Sequence, residues 1–280
     1  MKTVINGLTI EAVFSERDIE GIFLPLLEKL DQLKKKKGGR ILVMLSGPPG
    51  CGKSTLAWFL SHLYEEKAES ICEKKSSPVI KKEPVTVVGE EPGTVIGEEP
   101  CTVIEEEPVT VIGMDGFHRT QADLAVHFTW RNGQRIPLTS IKGAPETFNL
   151  EKLANRVREV ASGKDCPWPV YDRKTHDAKE DGLRVTGDLV ILEGNYLLLD
   201  RPGWTELSRY ADYTIRISAE EAFLEERLVE RHLKSGKERA AAEAFVRNSD
   251  LENARLILEG SKTADLNLWV SKDGFSVQDP

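Results

Sequence analysis

Residues 41–54 read ILVMLSGPPGCGKS, and this stretch says more about the fold than any other part of the chain. Its first five residues form a continuous apolar run of strand length, which is typical of a strand buried on both faces of a parallel sheet. Its last eight residues, 47–54, match the pattern G-x-x-x-x-G-K-[ST], and an apolar helical pattern follows them to about residue 66. A strand, a glycine-rich loop and a helix in this order predict a loop that binds nucleotide phosphates.

The residue types of this loop suit phosphate binding. Glycines allow successive backbone N–H groups to converge on phosphate oxygens, and the N-terminus of the following helix adds the positive end of its dipole. We expect the Lys53 ammonium to reach the β- and γ-phosphates of ATP, and the Ser54 hydroxyl to ligate Mg²⁺. The predicted ATP-binding residues of the loop are Gly47, Pro48, Pro49, Gly50, Cys51, Gly52, Lys53, Ser54 and Thr55.

The composition indicates a soluble globular protein. The 280 residues are 40% hydrophobic and 30% charged, well outside the range of disordered chains. With 46 acidic and 38 basic residues the net charge is −8, so general binding of nucleic acid is not expected. No uncharged apolar run approaches the roughly 18 residues of a membrane span, and no membrane association is expected. Four scattered cysteines and the lack of a signal-like N-terminus predict a cytoplasmic protein.

The rest of the chain alternates strand and helix patterns. Strand patterns lie at 189–192, 213–217 and near 264–270, and helical patterns lie at about 149–162, 219–234 and 238–259. Alternation of this kind predicts a three-layer α/β domain, in which a mostly parallel sheet is flanked by helices. We assign this domain to residues 40–270, with a C-terminal tail over 271–280.

The first 39 residues predict a hairpin and a helix that pack on this domain. The pair Asn6-Gly7 lies between two short apolar runs, which is typical of a β-hairpin turn. An apolar stripe at helical spacing then runs from Ile19 to Leu33. Because proline disrupts a helix interior, we expect a kink or a later start at Pro25.

Residues 83–113 contain an eight-residue repeat in four copies, each with a short β-prone run bounded by Gly, Glu and Pro. Only the last copy leads directly into Met114-Asp115-Gly116, so we predict that it forms a core strand. The three earlier copies predict an insertion at about 82–107, either an acidic loop or a small meander at the sheet edge. We assign no chemistry to them.

Two acidic residues follow predicted core strands. Asp115 follows the strand of the last repeat, and Glu193 follows the strand at 189–192. In open α/β sheets, ligands bind at the carboxyl ends of the strands. A carboxylate there can accept the proton of an attacking hydroxyl or hold magnesium-bound water. The alternative for both is a turn or capping residue, which is the weaker reading for Glu193 because glutamate caps helices poorly.

Five motifs occur in an order that resembles the superfamily of uridine kinase, phosphoribulokinase and pantothenate kinase. They are GPPGCGKS at 47–54, MDGFH at 114–118, KGAPETF at 142–148, PVYDR at 169–173 and EGNYLLL at 193–199. Within it, the chain is most similar to the branch described as nucleoside/nucleotide kinase-like or fructose-transport-system kinase-like. The resemblance runs from about residue 40 to 270 without the repeats, and it implies a P-loop NTPase fold with a small helical lid.

The resemblance also implies a catalytic and a metal site. Asp115 matches the catalytic base of the superfamily and would act with Lys53 and Glu193. Ser54 and Glu193 would hold Mg²⁺, partly through water. Arg227 and Arg231 fall where the family places a phosphate-contacting lid. Since they lie four residues apart on one helix face, pairing with neighbouring glutamates is a nearly equal alternative.

The resemblance further implies an acceptor site, which binds the molecule that receives the phosphoryl group. The implied acceptor-binding residues are Asp115, His118, Arg119, Tyr171, Arg173, His176, Glu193, Asn195 and Tyr196. Residues 114–118 and 195–196 depart from the uridine kinase pattern, so nucleoside specificity does not follow from the motifs. Dimers and tetramers are both common among the resembling enzymes, so a homodimer is one of the forms that the resemblance allows.

Together these observations predict an ATP-dependent kinase. It would transfer the γ-phosphoryl group of Mg-ATP to a hydroxyl of a nucleoside, pantothenate-like or sugar acceptor, with Asp115 as the base. The alternative is an ATP-binding regulatory or transport-accessory protein without an acceptor, in which the repeats would serve as a docking strand. A GTPase is disfavoured because no N-K-x-D guanine signature follows the loop.

Overall fold

The fold is taken from a computed structural model. The structure describes residues 2–5, 8–11, 14–75, 109–131, 133–172, 175 and 177–279. The three earlier repeat copies lie outside the described residues, as do the predicted acceptor-site residues Arg173 and His176.

Within these residues the chain forms twelve strands and eight α-helices. The strands are β1 (Lys2–Ile5), β2 (Leu8–Glu11), β3 (Ile41–Ser46), β4 (Val109–Gly113), β5 (Phe128–Arg131), β6 (Gln134–Pro137), β7 (Cys166–Asp172), β8 (Asp177–Val185), β9 (Leu189–Gly194), β10 (Tyr213–Ser218), β11 (Leu266–Ser271) and β12 (Gly274–Gln278). The helices are α1 (Glu16–Asp18), α2 (Leu24–Lys37), α3 (Lys53–Lys75), α4 (Gln121–Val126), α5 (Leu150–Ala161), α6 (Glu221–Lys234), α7 (Arg239–Phe245) and α8 (Leu251–Gly260).

Six strands form the central sheet, in the order β12-β11-β10-β3-β9-β4. All neighbouring pairs from β11 to β4 are parallel, and β12 alone runs antiparallel to its neighbour. The prediction of a mostly parallel sheet is therefore confirmed. The other described strands form two-stranded hairpins: β1 with β2, β5 with β6, and β7 with β8.

Helices cover both faces of the sheet, which confirms the three-layer prediction. Strand β3 is buried at all six positions, and its side chains alternate between two hydrophobic clusters. Ile41, Val43 and Leu45 belong to a cluster with apolar residues of α2, α3 and α6. Leu42 and Met44 belong to a second cluster on the opposite face, with residues of α5 and β7. Burial on both faces is the reason that β3 reads as a continuous apolar run.

The N-terminal helical segment runs through Pro25 without a break in its interior. A π-helical turn over Ile19–Phe23 joins α1 to α2, and Pro25 lies in the first turn of α2. Proline is tolerated there because the first N–H groups of a helix have no intrahelical partner. Of the two expectations at Pro25, a kink or a later start, the later start is observed, because α2 begins at Leu24.

The C-terminal segment differs from the tail expected over 271–280. Gly274–Gln278 form β12, which pairs with β11 and closes the sheet on that side. Phe275 is 9% exposed whereas Val277 is 55% exposed, so a single apolar residue anchors this strand. Helix α1 also holds β12 in place, because the buried Asp18 carboxylate accepts a hydrogen bond from the Phe275 N–H at 3.1 Å. Neither contact is visible in the local sequence pattern.

Across the described parts of the chain, no helix is both long enough and apolar enough to cross a bilayer.

Candidate active site

The phosphate-binding loop connects the end of β3 to the start of α3, as the sequence predicted. Gly50 and Gly52 adopt φ angles of 86° and 93°, in the left-handed region that favours glycine. Gly47 is required for a different reason, since a Cβ atom there would lie 2.7 Å from the carbonyl oxygen of Ile217. The loop therefore curves tightly against β10, with the N-terminus of α3 at its end.

The Lys53 side chain lies along the inside of this loop. It is 7% exposed, and its ammonium donates a hydrogen bond to the Pro48 carbonyl at 2.9 Å and lies 3.8 Å from Cys51 Sγ. Cys51 is fully buried, and burial raises the pKa of its thiol although Lys53 and Arg227 act in the opposite direction. Cys51 is accordingly a packed, neutral thiol of the loop.

The two predicted carboxylates lie at the same edge of the sheet. The parallel register pairs Glu193 of β9 with both Leu45 of β3 and Gly113 of β4. The Ser54 hydroxyl donates a hydrogen bond to Glu193 Oε1 at 2.8 Å. Asp115 follows β4 in a 3₁₀ turn over Met114–Phe117. The sheet thus brings together a hydroxyl and two acids that are separated by up to 139 positions along the chain.

A cavity of about 260 Å³ opens between these groups and the β7–β8 hairpin. It is lined by Ser54, Trp58, Val111, Ile112, Gly113, Asp115, Gly116, Trp168, Pro169, Val170, Tyr171, Leu183 and Glu193. The charged lining residues are the two acids, and most of the remaining wall is aromatic or aliphatic. We call this cavity the acceptor pocket. Its position beside the phosphate-binding loop suits a small molecule that meets a bound nucleotide.

The β7–β8 hairpin is held against the end of β4 by backbone contact. The fully buried Trp168 donates its indole N–H to the Gly113 carbonyl at 2.9 Å. Gly116 lies so close to β7 that a Cβ atom on it would be 1.9 Å from the Pro169 carbonyl oxygen. Only glycine permits this approach, which forms one wall of the acceptor pocket.

Trp58 is a lining residue that the sequence reasoning did not single out. It follows Ser54 by four positions in α3, so the two side chains lie on the same face of that helix. Its ring also contacts the His62 ring, with centroids 4.1 Å apart. The spacing from the serine of the loop was the signal that could have identified it.

His118 packs beside Tyr171, which lines the pocket, whereas Arg119 is turned toward α4. The His118 ring lies 3.9 Å from the Phe148 ring and 5.3 Å from the Tyr171 ring, measured between centroids. Its Nδ1 atom is 2.9 Å from the Asp115 carbonyl oxygen. Desolvation lowers the pKa of His118 despite the opposing effect of Asp115. Arg119 forms an ion pair with Asp123 at 3.0 Å.

Tyr196, which we expected in the acceptor site, lies in the core instead. Its side chain is fully buried, and its hydroxyl donates a hydrogen bond to the Gly143 carbonyl at 2.6 Å. Burial raises its pKa far above the ordinary value, so the hydroxyl remains a donor. The neighbouring Asn195 accepts a hydrogen bond from the Ser46 hydroxyl through its backbone carbonyl at 3.1 Å, which ties this turn to β3.

The two predicted lid arginines occupy different environments on α6. The Arg227 guanidinium lies 3.5 Å from the position of a Cβ atom built on Gly52, and it is therefore next to the phosphate-binding loop. Arg231 Nη2 lies 3.8 Å from Asp250 Oδ2. The glutamates considered as alternative partners form ion pairs elsewhere: Glu226 with Lys272 and Glu230 with Lys234.

Known proteins resemble this chain over nearly its whole length. No family model matches it. The uncharacterized protein YggC of Escherichia coli (strain K12) is 36% identical over 275 residues, which cover 98% of this chain and 97% of YggC. A protein named "putative uridine kinase" from Schizosaccharomyces pombe is 26% identical over 235 residues, or 82% of this chain and 83% of that protein.

A solved structure extends the likeness to three dimensions. It is the crystal structure of a "putative fructose transport system kinase" from Silicibacter sp. TM1040, with a TM-score of 0.66 and 31% identity over 88% of this chain and 98% of that one. The likeness in fold agrees with the arrangement described above. The chain belongs to the same family as YggC and the Silicibacter protein, within the P-loop kinase superfamily of uridine kinases, phosphoribulokinases and pantothenate kinases.

Proposed function

We propose that this protein is an ATP-dependent kinase that transfers the γ-phosphoryl group of Mg-ATP to a hydroxyl of a small molecule. The observation that carries the proposal is the position of Asp115. It lines a pocket that also contains Ser54 of the phosphate-binding loop and Glu193. A nucleotide-binding switch needs no carboxylate at the place where an acceptor hydroxyl would meet the γ-phosphate, whereas a kinase does.

The residues present fit Mg-ATP. The left-handed glycines at 50 and 52 shape a tight loop that ends at the N-terminus of α3, where the helix dipole and free N–H groups favour phosphate oxygens. The hydroxyl of Ser54 and the carboxylate of Glu193 are the hard oxygen donors that Mg²⁺ prefers. Lys53 and Arg227 would bind the phosphates. The bound metal would supply charge neutralisation at the β- and γ-oxygens.

The side chains of this protein would then perform the transfer mainly by positioning and electrostatics. Asp115 would accept the proton of the acceptor hydroxyl while the oxygen of that hydroxyl bonds to the γ-phosphorus. The bond between the γ-phosphorus and the bridging oxygen breaks, and ADP leaves with that oxygen. Lys53, with Arg227 and Arg231 on α6, stabilises the negative charge that spreads over the phosphoryl oxygens. Trp58, Val170 and Tyr171 hold the body of the acceptor and exclude water from the reacting atoms. Arg173, His176 and Asn195 remain predicted acceptor contacts.

The proposal is tested by ADP formation from Mg-ATP with a panel of nucleosides, pantothenate, sugars and glycerate. Asp115→Asn keeps the size of the side chain but removes the base, and we expect it to lower acceptor-dependent kcat by about 10²- to 10⁴-fold. Asp181→Asn, an exposed position on β8, is the matched control and should leave the rate unchanged. Slow hydrolysis that is independent of acceptor and equal in all three proteins would contradict the proposal and favour a regulatory ATP-binding role.

A further inference from the structure

The β5–β6 hairpin exposes large apolar side chains that the proposed reaction does not use. Trp130 is 71% exposed, Phe128 is 46% exposed, and Val126, just before the hairpin, is 69% exposed. Trp130 pairs directly with Arg135, so their side chains lie on one face, and Phe128, two positions from Trp130, lies on the same face. The Arg135 guanidinium lies over the Phe128 ring, 4.1 Å from its centroid. We call Phe128, Trp130 and Arg135 the outer face of the hairpin.

The opposite face fixes the hairpin to the rest of the protein. Ile136 packs against a small cluster of buried apolar side chains between α4 and the 3₁₀ turn after β6. Arg131 forms ion pairs with Glu252 of α8 at 3.0 Å and with Glu146 at 3.7 Å. Because the hairpin is held from this side, its outer face has a defined position, which lowers the entropic cost of binding a partner.

The outer face has the composition of a protein-binding surface. Tryptophan and arginine are prominent among the residue types that dominate binding energy at such surfaces, and clustered exposed apolar side chains mark contacts with other molecules. Neither β5 nor β6 pairs with a third strand among the described residues, so an extended segment can add to an open edge of the hairpin. Within the described part of the chain, Arg135 forms no ion pair, and an acidic segment would supply one.

The chain itself contains a segment with the complementary properties. The three earlier repeat copies, residues 83–106, contain seven glutamates and no basic residue. Residues 124–141, which include the hairpin, contain two arginines and no acidic residue, although the chain as a whole has a net charge of −8. Each repeat copy also has a β-prone run of valine, threonine or isoleucine. Opposite charge and a strand-forming sequence are the two properties that binding to the outer face requires.

The attachment points of the two segments favour contact between two copies of the chain. The repeats lead into Val109, the first residue of β4, which pairs with Leu189 at the amino ends of the parallel strands. The hairpin is connected to the carboxyl end of β4 through residues 114–127. A repeat and the hairpin of the same chain therefore start from opposite edges of the sheet. A second copy, related by a two-fold axis, can present its repeats to this hairpin and receive the repeats of the first copy on its own.

We propose that this protein forms a homodimer in which the acidic repeats of each copy, residues 83–106, bind the outer face of the hairpin in the other copy. Valine and isoleucine side chains of a repeat pack on Phe128 and Trp130, a glutamate pairs with Arg135, and the main chain of the repeat pairs with an open edge of the hairpin. The two contacts are equivalent by symmetry, so the assembly closes at two copies. The inference is independent of the proposed kinase function, since the outer face does not line the acceptor pocket.

The test is the oligomeric state of the full-length protein, measured by analytical ultracentrifugation over a range of concentrations. We expect a monomer–dimer equilibrium with a dissociation constant of about 1–100 µM, as is usual for small, transient interfaces. Because the pairing of glutamates with Arg135 is exposed to solvent, raising the salt concentration from about 0.05 M to about 0.5 M should weaken the dimer several-fold.

Two variants assign the contact to its two sides. Deletion of residues 83–106 removes three complete repeat copies and leaves the last copy, which forms β4, in place. Trp130→Ser with Arg135→Glu changes the hairpin and leaves the repeats intact. Each variant should raise the dissociation constant by about 30-fold or more, the effect of losing a strong contact residue. Val277→Ser with Arg239→Glu is the matched control, because both residues are exposed elsewhere, on β12 and α7, and it should leave the dimer unchanged.

A mixture of the two variants tests direct contact between the repeats and the hairpin. The deletion variant retains an intact hairpin, and the hairpin variant retains intact repeats. We expect the mixture to form a heterodimer through one contact, although neither variant dimerises by itself at the same concentration. Such complementation also shows that both variants are folded, since an unfolded chain could not supply its half of the contact.

Four outcomes would overturn the inference. The first is a monomer at every concentration, and the second is a dimer that either variant retains at full strength. The third is a mixture that fails to associate. The fourth is binding within one copy, which ¹⁹F NMR of 5-fluorotryptophan-labelled protein detects: the deletion would then shift the Trp130 resonance at concentrations where the full chain is monomeric. Loss of the dimer in both variants, with recovery in the mixture, supports the inference.

Discussion

Gly116 illustrates how one side chain, or its absence, shapes the site. The residue follows the proposed base Asp115 and packs directly on the backbone of β7. Because the obstructing atoms are a peptide carbonyl and not the end of a flexible side chain, the chain must move if a methyl group is added. Movement at this position displaces both Asp115 and the wall of the acceptor pocket.

We therefore predict that Gly116→Ala lowers the free energy of unfolding by about 1–3 kcal/mol, the usual cost of overpacking, and reduces any acceptor-dependent turnover. Urea denaturation and the ADP assay measure the two effects. Gly21→Ala is the matched control, because a Cβ atom at Gly21 has no neighbour within 4 Å and alanine favours helical backbone. Equal stability of the two variants would contradict the contact between Gly116 and β7.

His118 should make stability depend on pH. Desolvation lowers its pKa in the folded protein below the ordinary value of 6.5, so the unfolded chain binds a proton more readily than the folded one. Stability from this residue is present above pH 6.5 and is lost as the pH falls through the folded-state pKa. We expect the free energy of unfolding to drop more between pH 7.5 and 5.5 in the natural protein than in His118→Gln. Parallel pH profiles would disprove the effect.

Helix α5 is an element whose ends and buried face follow from its own sequence. Its pattern predicted a helix at about 149–162, and the structure has it at Leu150–Ala161. The Asn149 side chain caps it by accepting a hydrogen bond from the Lys152 N–H at 3.0 Å. Leu153, Val157 and Val160 form its buried face, at the three- and four-residue spacing of a single helical stripe.

Loss of the α5 cap should destabilise the protein by about 1 kcal/mol, as is typical when an N-cap asparagine is replaced by alanine. Asn149→Ala tests this by chemical denaturation. Asn155→Ala provides the same substitution at an exposed position of the same helix, where a change within about 0.5 kcal/mol is expected. If both variants lose the same stability, the cap is not the cause.

The N-terminal and C-terminal segments pack against each other, and the N-terminal segment packs on α3, the helix that follows the phosphate-binding loop. Phe14 stacks on Phe59 of α3 with centroids 4.0 Å apart. Phe23 contacts Phe59 edge-to-face at 5.6 Å and Phe275 of β12 at 5.5 Å. These rings join the first helices, the last strand and α3 into one hydrophobic core, so the ends of the chain support the helix that begins at Lys53.

Phe23→Ala should lower the free energy of unfolding by about 3–5 kcal/mol, since the phenyl ring is fully buried and leaves a cavity. Trp130→Ala is the control for removal of a large ring, because Trp130 is 71% exposed, and it should cost within about 0.5 kcal/mol. Thermal or urea unfolding of both variants decides the matter. A small loss for Phe23→Ala would show that the N-terminal helices are peripheral to folding.

Features that depend on neighbouring residues were predictable from the chain. The phosphate-binding loop, the buried strand before it, α5 and the two strand-end acids all follow from contiguous patterns, since local periodicity and turn chemistry reflect local backbone geometry. The family resemblance added the lid helix and the order of the motifs. Arg227 lies beside the loop as that resemblance implied.

Features that depend on distant residues were decided by the tertiary structure. The family resemblance placed Tyr196 in the acceptor site, but the side chain is buried in the core and its hydroxyl donates to the Gly143 carbonyl, 53 positions away. Likewise, β12 exists because β11 and Asp18 receive it. The proximity of Lys142 to Tyr171 has the same origin. Residue spacing encodes which face a side chain occupies on its own element, but packing between elements determines what that face meets.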